Sequence, residues 1–256
     1  MTYLELCQFA HRYIGGGNEL PGTAPTTVIG QVGYLFELVK SVADAYRSIQ
    51  NNRDDWLFMQ KQGTFALASG GRVITQAAMV VQVSDYGDLR PDLYGAGYRF
   101  MQMYADASGV GSNAPVLYLP YQQWRGTIDQ NTIPTGRANM VTIQPNRSIE
   151  FNYIADQDYT FLCDYKVNIE SWVQTASGSV PDPDAQTPIF PERFHEVVAW
   201  RAIMLWGGSV EDPGKYQFAR DEYNRIMTAM YNDQIPENLP YLEAFDGGRN
   251  TVGGWY

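Results

Sequence analysis

Apolar residues at the start of the chain recur at helical spacing, with Tyr3, Leu6, Cys7, Ala10, Tyr13 and Ile14 on one face until Gly15-Gly16-Gly17 interrupts them. Thr2, with Glu5 three residues on, forms a capping box ahead of that run. After a loop of Gly, Pro and Thr, the pattern predicts a longer helix capped by Thr26 or Thr27. Its stripe is Val32, Leu35, Val39, Val42, Tyr46 and Ile49, and Asn51-Asn52 ends it. From Trp56 to Ser171 the period changes. Short apolar runs rich in Val, Ile, Tyr and Phe, broken by Gly, Pro, Asn and Asp, read as strands. Residues 140–144, 148–153 and 159–167, separated by turns at 145–147 and 156–158, predict an antiparallel meander with alternating faces. Between Asp85 and Gly111 no steady period survives, which predicts irregular structure or loops.

Residues 177–188, rich in Gly, Ser, Pro and Asp, read as a solvated linker. Helical signals then return. Pro191 and Glu192 suit a first turn, and Phe194, Val197, Val198, Arg201, Met204 and Leu205 share a face up to Gly207-Gly208. Asp212-Pro213 opens a second helix carrying Tyr216, Ala219, Tyr223, Ile226 and Met230. Each terminal helix has one apolar stripe that it cannot bury alone, so the simplest packing joins Val32, Leu35, Val39 and Val42 to Val197, Val198, Met204 and Ile226. The expected class is α+β. It comprises N-terminal bundle helices (1–55), a β-rich antiparallel middle (56–176), C-terminal bundle helices (177–233) and an extended arm (234–256). The arm contains Pro236, Pro240 and two Gly-Gly pairs beside Tyr241, Phe245, Trp255 and Tyr256. These four aromatic residues are the candidate partner-binding positions, because an exposed aromatic tail is an association hazard unless something receives it.

Composition narrows the function. The 256 residues are 45% hydrophobic and 14% aromatic, which excludes a disordered or low-complexity protein. Only 18% are charged, below the roughly 25% usual for globular chains, as expected of a surface largely covered by other subunits. With 28 acidic against 18 basic side chains the net charge is -10, so the chain lacks the footprint of a protein that grips phosphates. A channel past which DNA slides stays open. Two cysteines, Cys7 and Cys163, both among apolar neighbours, are too few for a disulfide framework or a zinc site. No secretory leader and no apolar run near 18 residues is present, so no membrane association is expected, and the chain is expected to be made in a reducing cytoplasm.

Catalytic motifs are sparse. Only His11 and His195 exist, and His195-Glu196 is followed by Val197-Val198-Ala199 rather than by the second histidine of a zinc-protease helix. Asp182-Pro183-Asp184 resembles an acidic cation pair but sits in the expected linker. The stretch 95–100 (Gly-Ala-Gly-Tyr-Arg-Phe) lacks the third glycine of a dinucleotide fingerprint. Asp54 and Asp55 fit a loop at a helix end. No catalytic, cofactor or metal site is expected, and the chain is not expected to be an enzyme.

At the level of whole segments the chain resembles the head-to-tail adaptor (connector or neck) proteins of tailed bacteriophages, particularly short-tailed ones. The likeness is carried by 1–7 (Met-Thr-Tyr-Leu-Glu-Leu-Cys), by 30–33 (Gly-Gln-Val-Gly) leading to 42–49 (Val-Ala-Asp-Ala-Tyr-Arg-Ser-Ile), and by 53–56 (Arg-Asp-Asp-Trp). It continues in 136–145 (Gly-Arg-Ala-Asn-Met-Val-Thr-Ile-Gln-Pro), 190–206 (Phe-Pro-Glu-Arg-Phe-His-Glu-Val-Val-Ala-Trp-Arg-Ala-Ile-Met-Leu-Trp), 218–226 and 232–237. Residues 84–111 and the tail after Glu237 fall outside it. The resemblance implies a virion protein at the head-tail junction with no active site. It forms a ring, usually of twelve copies, beneath the portal protein, contacts tail or nozzle proteins, and passes genomic DNA through its lumen without sequence-specific binding. Two alternatives stay open: another ring-forming virion protein such as a tail terminator, and a small-molecule or glycan-binding enzyme whose aromatic residues line a cleft.

Overall fold

The structure, a computed structural model, describes residues 1–14, 23–89, 101–105, 112–128, 132–175, 182–206 and 213–235. Its helices are α1 (Tyr3–Ile14), α2 (Gly33–Gln50), α3 (Gln76–Gln82), α4 (Tyr121–Thr127), α5 (Glu196–Trp206) and α6 (Pro213–Gln234). Its strands are β1 (Gln60–Leu67), β2 (Val73–Ile74), β3 (Tyr86–Asp88), β4 (Met101–Tyr104), β5 (Ala114–Tyr118), β6 (Met140–Ile143), β7 (Ile149–Phe151) and β8 (Tyr159–Val167). The class is α+β. The chain divides into two compact units, a helical one built from both ends of the sequence, through Phe58 and again from Ile169, and a sheet unit from Met59 to Asn168.

In the helical unit, α1 opens as its capping box requires: the Thr2 N–H donates to Glu5 Oε2 at 2.8 Å and the Glu5 N–H to Thr2 Oγ1 at 3.3 Å. Helix α2 begins later than expected. Gly33, at φ 56°, is its first residue and Val32 precedes it without a side-chain cap. The Thr27 hydroxyl instead accepts from the Ile29 N–H, so it closes a local turn rather than the helix. Val32 is consequently 81% exposed and does not join the bundle stripe, whose buried part in α2 is Leu38, Val39, Val42, Ala45, Tyr46 and Ile49. Helix α5 is buried at Val197, Val198, Ala199, Trp200, Ala202 and Ile203, almost all round, because α1, α2 and α6 all pack against it. Helix α6 lies outermost, burying Ala219, Ile226, Met227 and Met230.

The chain returning at residue 169 is stitched across the N-terminal helices. Gln50 Nε2 donates to the Glu170 carbonyl and Gln50 Oε1 accepts the Glu170 N–H, both at 2.9 Å. The Tyr46 hydroxyl donates to Glu170 Oε2 at 2.6 Å and accepts the Ile189 N–H at 3.1 Å. Trp172 stacks between Tyr3 and Tyr46, with ring centroids 4.6 and 4.2 Å away. Of the expected linker, 182–188 is not a solvated spacer. Asp184 accepts the Val28 N–H at 2.6 Å and the Thr27 hydroxyl at 3.1 Å, Asp182 caps the 3₁₀ turn at Pro183–Ala185, and Pro183 is buried. Short aspartate side chains bond readily to neighbouring backbone, and here they tie the C-terminal segment to the N-terminal loop.

The sheet runs in the order β1-β8-β4-β5-β6-β7-β2, with β3 also paired to β8. All pairs are antiparallel except β5–β6, which is parallel and departs from the purely antiparallel expectation. The hairpin of β6 and β7 forms as expected, with Asn146 Oδ1 accepting the Ser148 N–H and Arg147 taking φ 64° at the turn. The meander stops there. Strand β8 does not pair with β7 but with β1, β4 and β3, burying Tyr159, Phe161, Cys163, Tyr165 and Val167 on its core face. Every second residue of β8 is buried and four of these five are aromatic or β-branched, which suits a strand with neighbours on both sides rather than the edge of a meander. Within 85–111, expected to be irregular, β3 and β4 are regular strands. Residues 90–100 and 106–111 lie outside the described part.

Candidate assembly surface

The four arm residues that the sequence nominates, Tyr241, Phe245, Trp255 and Tyr256, lie outside the described residues, as does the stretch 95–100. The described residues gather a different aromatic group at one end of the helical unit, where α1 and α5 finish and α2 and α6 begin. Tyr34 at the start of α2 meets the ring of Trp206 edge-on at 4.8 Å and that of His11 at 6.1 Å. Trp200 is met by Phe9 at 5.3 Å, Tyr13 at 4.6 Å and Phe218 at 5.5 Å. Edge-to-face rings hold one another rigidly, which preorganises the outermost ones.

The rim of this group is open to solvent. Phe218 is 51% exposed and Tyr13 40%, and on the same helices or beside them Leu205 is 45%, Phe36 39% and Val32 81% exposed. Two polar atoms inside the cluster, the Tyr34 hydroxyl and Trp200 Nε1, are buried without a hydrogen-bond partner among the described residues. Burial pushes the Tyr34 hydroxyl up to about 12, so it stays protonated and able to donate. A rigid aromatic rim around a desolvated centre is the arrangement from which interface anchors are made. Of the residues that form it, the sequence patterns place Tyr13 on a buried stripe and assign Phe9, Tyr34, Trp200, Trp206 and Phe218 to none. The readable signal is that aromatics fill the first and last turns beside Gly33 and Gly207-Gly208.

The candidate catalytic residues do not converge on a reaction centre. His195 sits where the 3₁₀ turn Glu192–Phe194 runs into α5, and is buried. Its Nε2 donates to the Phe190 carbonyl at 2.9 Å, while Nδ1 faces the amino nitrogen and carbonyl of Met1 at 2.8 and 3.0 Å. Burial holds its pKa below the ordinary imidazole range, the Phe190 carbonyl opposing that only in part. Its chemistry is that of a neutral clasp between the start of the chain and α5. Cys7 and Cys163 are both buried free thiols, each pushed well above the usual thiol range by burial. Asp55 is held below the usual carboxylate range by the Arg53 guanidinium at 2.7 Å.

In the sheet unit Arg72 pairs with the buried Glu150 at 2.6 Å, Gln144 donating to the same carboxylate at 2.7 Å. Asp85 accepts from Lys61 at 2.6 Å and Tyr165 at 2.7 Å. Burial raises its pKa, but these two donors outweigh it and hold the carboxyl low. Among the described residues no three His, Cys, Asp or Glu side chains converge as metal ligands would, and no helix is long and apolar enough to cross a membrane. A shallow depression of about 480 Å³, lined by Tyr121, Gln122, Arg125 and Gly126, holds one cation and no acid–base pair. No known protein family matches the chain, and no curated protein matches it.

Proposed function

We propose that this chain is a head-to-tail adaptor of a short-tailed bacteriophage, a virion protein whose copies form a twelve-membered ring below the portal. The ring joins capsid to tail and lines part of the conduit for genomic DNA. In this reading the terminal helices are the bundle of the ring protomer, the sheet unit is its β-rich middle, and residues 234–256 are an arm that reaches the portal or a neighbouring subunit. The observation that carries it is the exposed apolar surface of the helical unit, where Phe218 and Tyr13 are held edge-on by Trp200 and Leu205 and Phe36 are also exposed, a surface suited to a protein partner. The segment-wide resemblance supplies the identity of that partner. The charge agrees, since an acidic conduit repels phosphate and lets DNA slide.

Sedimentation with portal-bearing, tail-less heads tests the reading. Wild-type protein is expected to pellet with the heads, and Leu205→Asp/Phe218→Asp to lose most of that binding while keeping its circular dichroism. Deletion of 238–256 is expected to give a folded protomer that fails to attach stably. A wild-type chain that stays in the supernatant contradicts the reading.

A further inference from the structure

Helix α3 is fastened on one side and bare on the other. It packs against β1 and β3, with Met79 fully buried. Thr75 caps it by accepting the Ala78 N–H at 3.2 Å, and Gln82 Oε1 accepts the Ala66 N–H of β1 at 2.6 Å. At helical spacing Ala77, Val80 and Val81 fall on the side opposite Met79. All three are exposed, Val80 by 41% and Val81 by 86%, and Val73, on the strand that leads into the helix, is exposed as well. Valine is stiff and a weak helix former, so the folding of a seven-residue helix does not account for valines on its open side. A stiff apolar side chain loses little freedom when it is covered, which suits a contact.

The face is also without charge. Residues 73–84 (Val-Ile-Thr-Gln-Ala-Ala-Met-Val-Val-Gln-Val-Ser) contain no acidic or basic side chain. The charges that flank them are engaged within the chain, Arg72 with Glu150 and Asp85 with Lys61, both at 2.6 Å. A nucleic acid or a charged peptide finds nothing to hold there. The sheet unit as a whole is close to neutral, with 9 acidic against 8 basic side chains, whereas the helical unit carries 17 against 9. Two copies of the chain therefore repel through their helical units and can approach through their sheet units. Among the described residues of the sheet unit, the other exposed large apolar side chain is Leu117 of β5. The matching apolar surface on the sheet unit of a second copy is thus the same α3 face.

We propose that α3 pairs with α3 of a second copy about a twofold axis, Ala77, Val80 and Val81 of one covering those of the other. The face is smaller than the roughly 800 Å² per partner of a standard interface, so the pair is weak and forms as concentration rises. The contact does not rest on the adaptor reading.

Cysteine cross-linking of the full chain tests it, since Cys7 and Cys163 are buried and leave an introduced surface thiol as the reactive one. Ala77→Cys, Val80→Cys and Val81→Cys are made singly, with Gln123→Cys at an exposed position of α4 as the reference. About a twofold axis at least one of the three meets its own counterpart within disulfide reach. That variant is expected to form covalent dimer at least about tenfold faster than the reference, and no more slowly in high salt, which screens the repulsion between helical units. Adding Val81→Asp, or Val80→Asp where position 81 carries the cysteine, is expected to bring the rate down to that of the reference while circular dichroism stays unchanged. If all three variants cross-link no faster than Gln123→Cys, the proposal is overturned. It is overturned too if the added aspartate leaves the rate unchanged, or if high salt abolishes the cross-link, because another surface or a charge pair then holds the two copies. Binding to portal-bearing heads is a separate measurement and succeeds or fails independently of this contact.

Discussion

The two units spend their charges differently. Residues 1–58 and 169–237 carry 17 acidic against 9 basic side chains, whereas residues 59–168 carry 9 against 8. The acidity of the chain is therefore a property of its helical unit. Both units pair some charges internally, the sheet unit Arg72 with the buried Glu150 and Lys61 with Asp85, the helical unit Arg53 with Asp55, Arg193 with Asp233 and Arg225 with Glu222. The pairs of the helical unit lie at its surface, its interior is joined by stacked rings and by backbone contacts of Tyr46, Gln50 and Asp184, and it leaves apolar side chains such as Phe218 and Leu205 half-exposed. On the proposed adaptor reading, the surplus like charge would repel phosphate and the exposed aromatic side chains would meet a partner.

The largest expected effects fall on the cores. Phe161→Ala removes a fully buried ring stacked on Phe151 at 4.4 Å and should cost about 3–5 kcal/mol, read by urea unfolding. Leu38→Ala in α2 should cost about 2–5 kcal/mol. Amide exchange should localise the first loss to 59–168 and the second to the helices. If both variants loosen the same amides, the division into two differently stabilised units is wrong.

Asp184→Ala leaves the Val28 N–H and Thr27 hydroxyl without their acceptor and should cost about 1–3 kcal/mol, again in the helical unit. A loss below a few tenths would return 182–188 to the status of a spacer. His195 sharpens the comparison through pH. Its folded pKa lies below the ordinary value of about 6.5, so the unfolded chain takes up the proton first. The stability it lends is complete above about pH 6.5 and is lost as pH falls through that value toward the lowered folded pKa. His195→Gln should flatten that part of the stability–pH curve, and parallel curves for variant and wild type would exclude this role. Smallest is Lys61→Met, which breaks a half-exposed pair with Asp85 and should change stability by about 0–1 kcal/mol, with the difference shrinking in high salt.

What the sequence made legible was local. The α1 capping box joins residues three positions apart, and the β6–β7 hairpin turns on Asn146 and Arg147, so both are written in neighbouring positions. The partners of β8 are not. Phe65 faces Phe161 across β1 and β8 from nearly a hundred residues away, and alternation alone cannot choose between that neighbour and β7. A longer separation, 156 residues, hid Asp184, whose Pro-flanked surroundings read as solvated until Val28 and Thr27 are brought to it. The exposed aromatic group was concealed for another reason: Tyr13 and Leu205 satisfy a helical stripe, Phe218 falls off the stripe of its helix, and only the packed helices show which of them stay uncovered. The arm aromatics stood out because Pro236, Pro240 and the glycine pairs leave them no helix to belong to.

The adaptor reading is tested most directly by electron microscopy of portal-bearing heads incubated with the purified protein. The account predicts an added ring of twelve copies beneath the portal, with the helical unit's Phe218 end against protein and density for residues 236–256 running onto the portal or the adjacent copy. Heads that show only the bare portal at saturating protein, or a ring whose Phe218 end faces solvent, would contradict it.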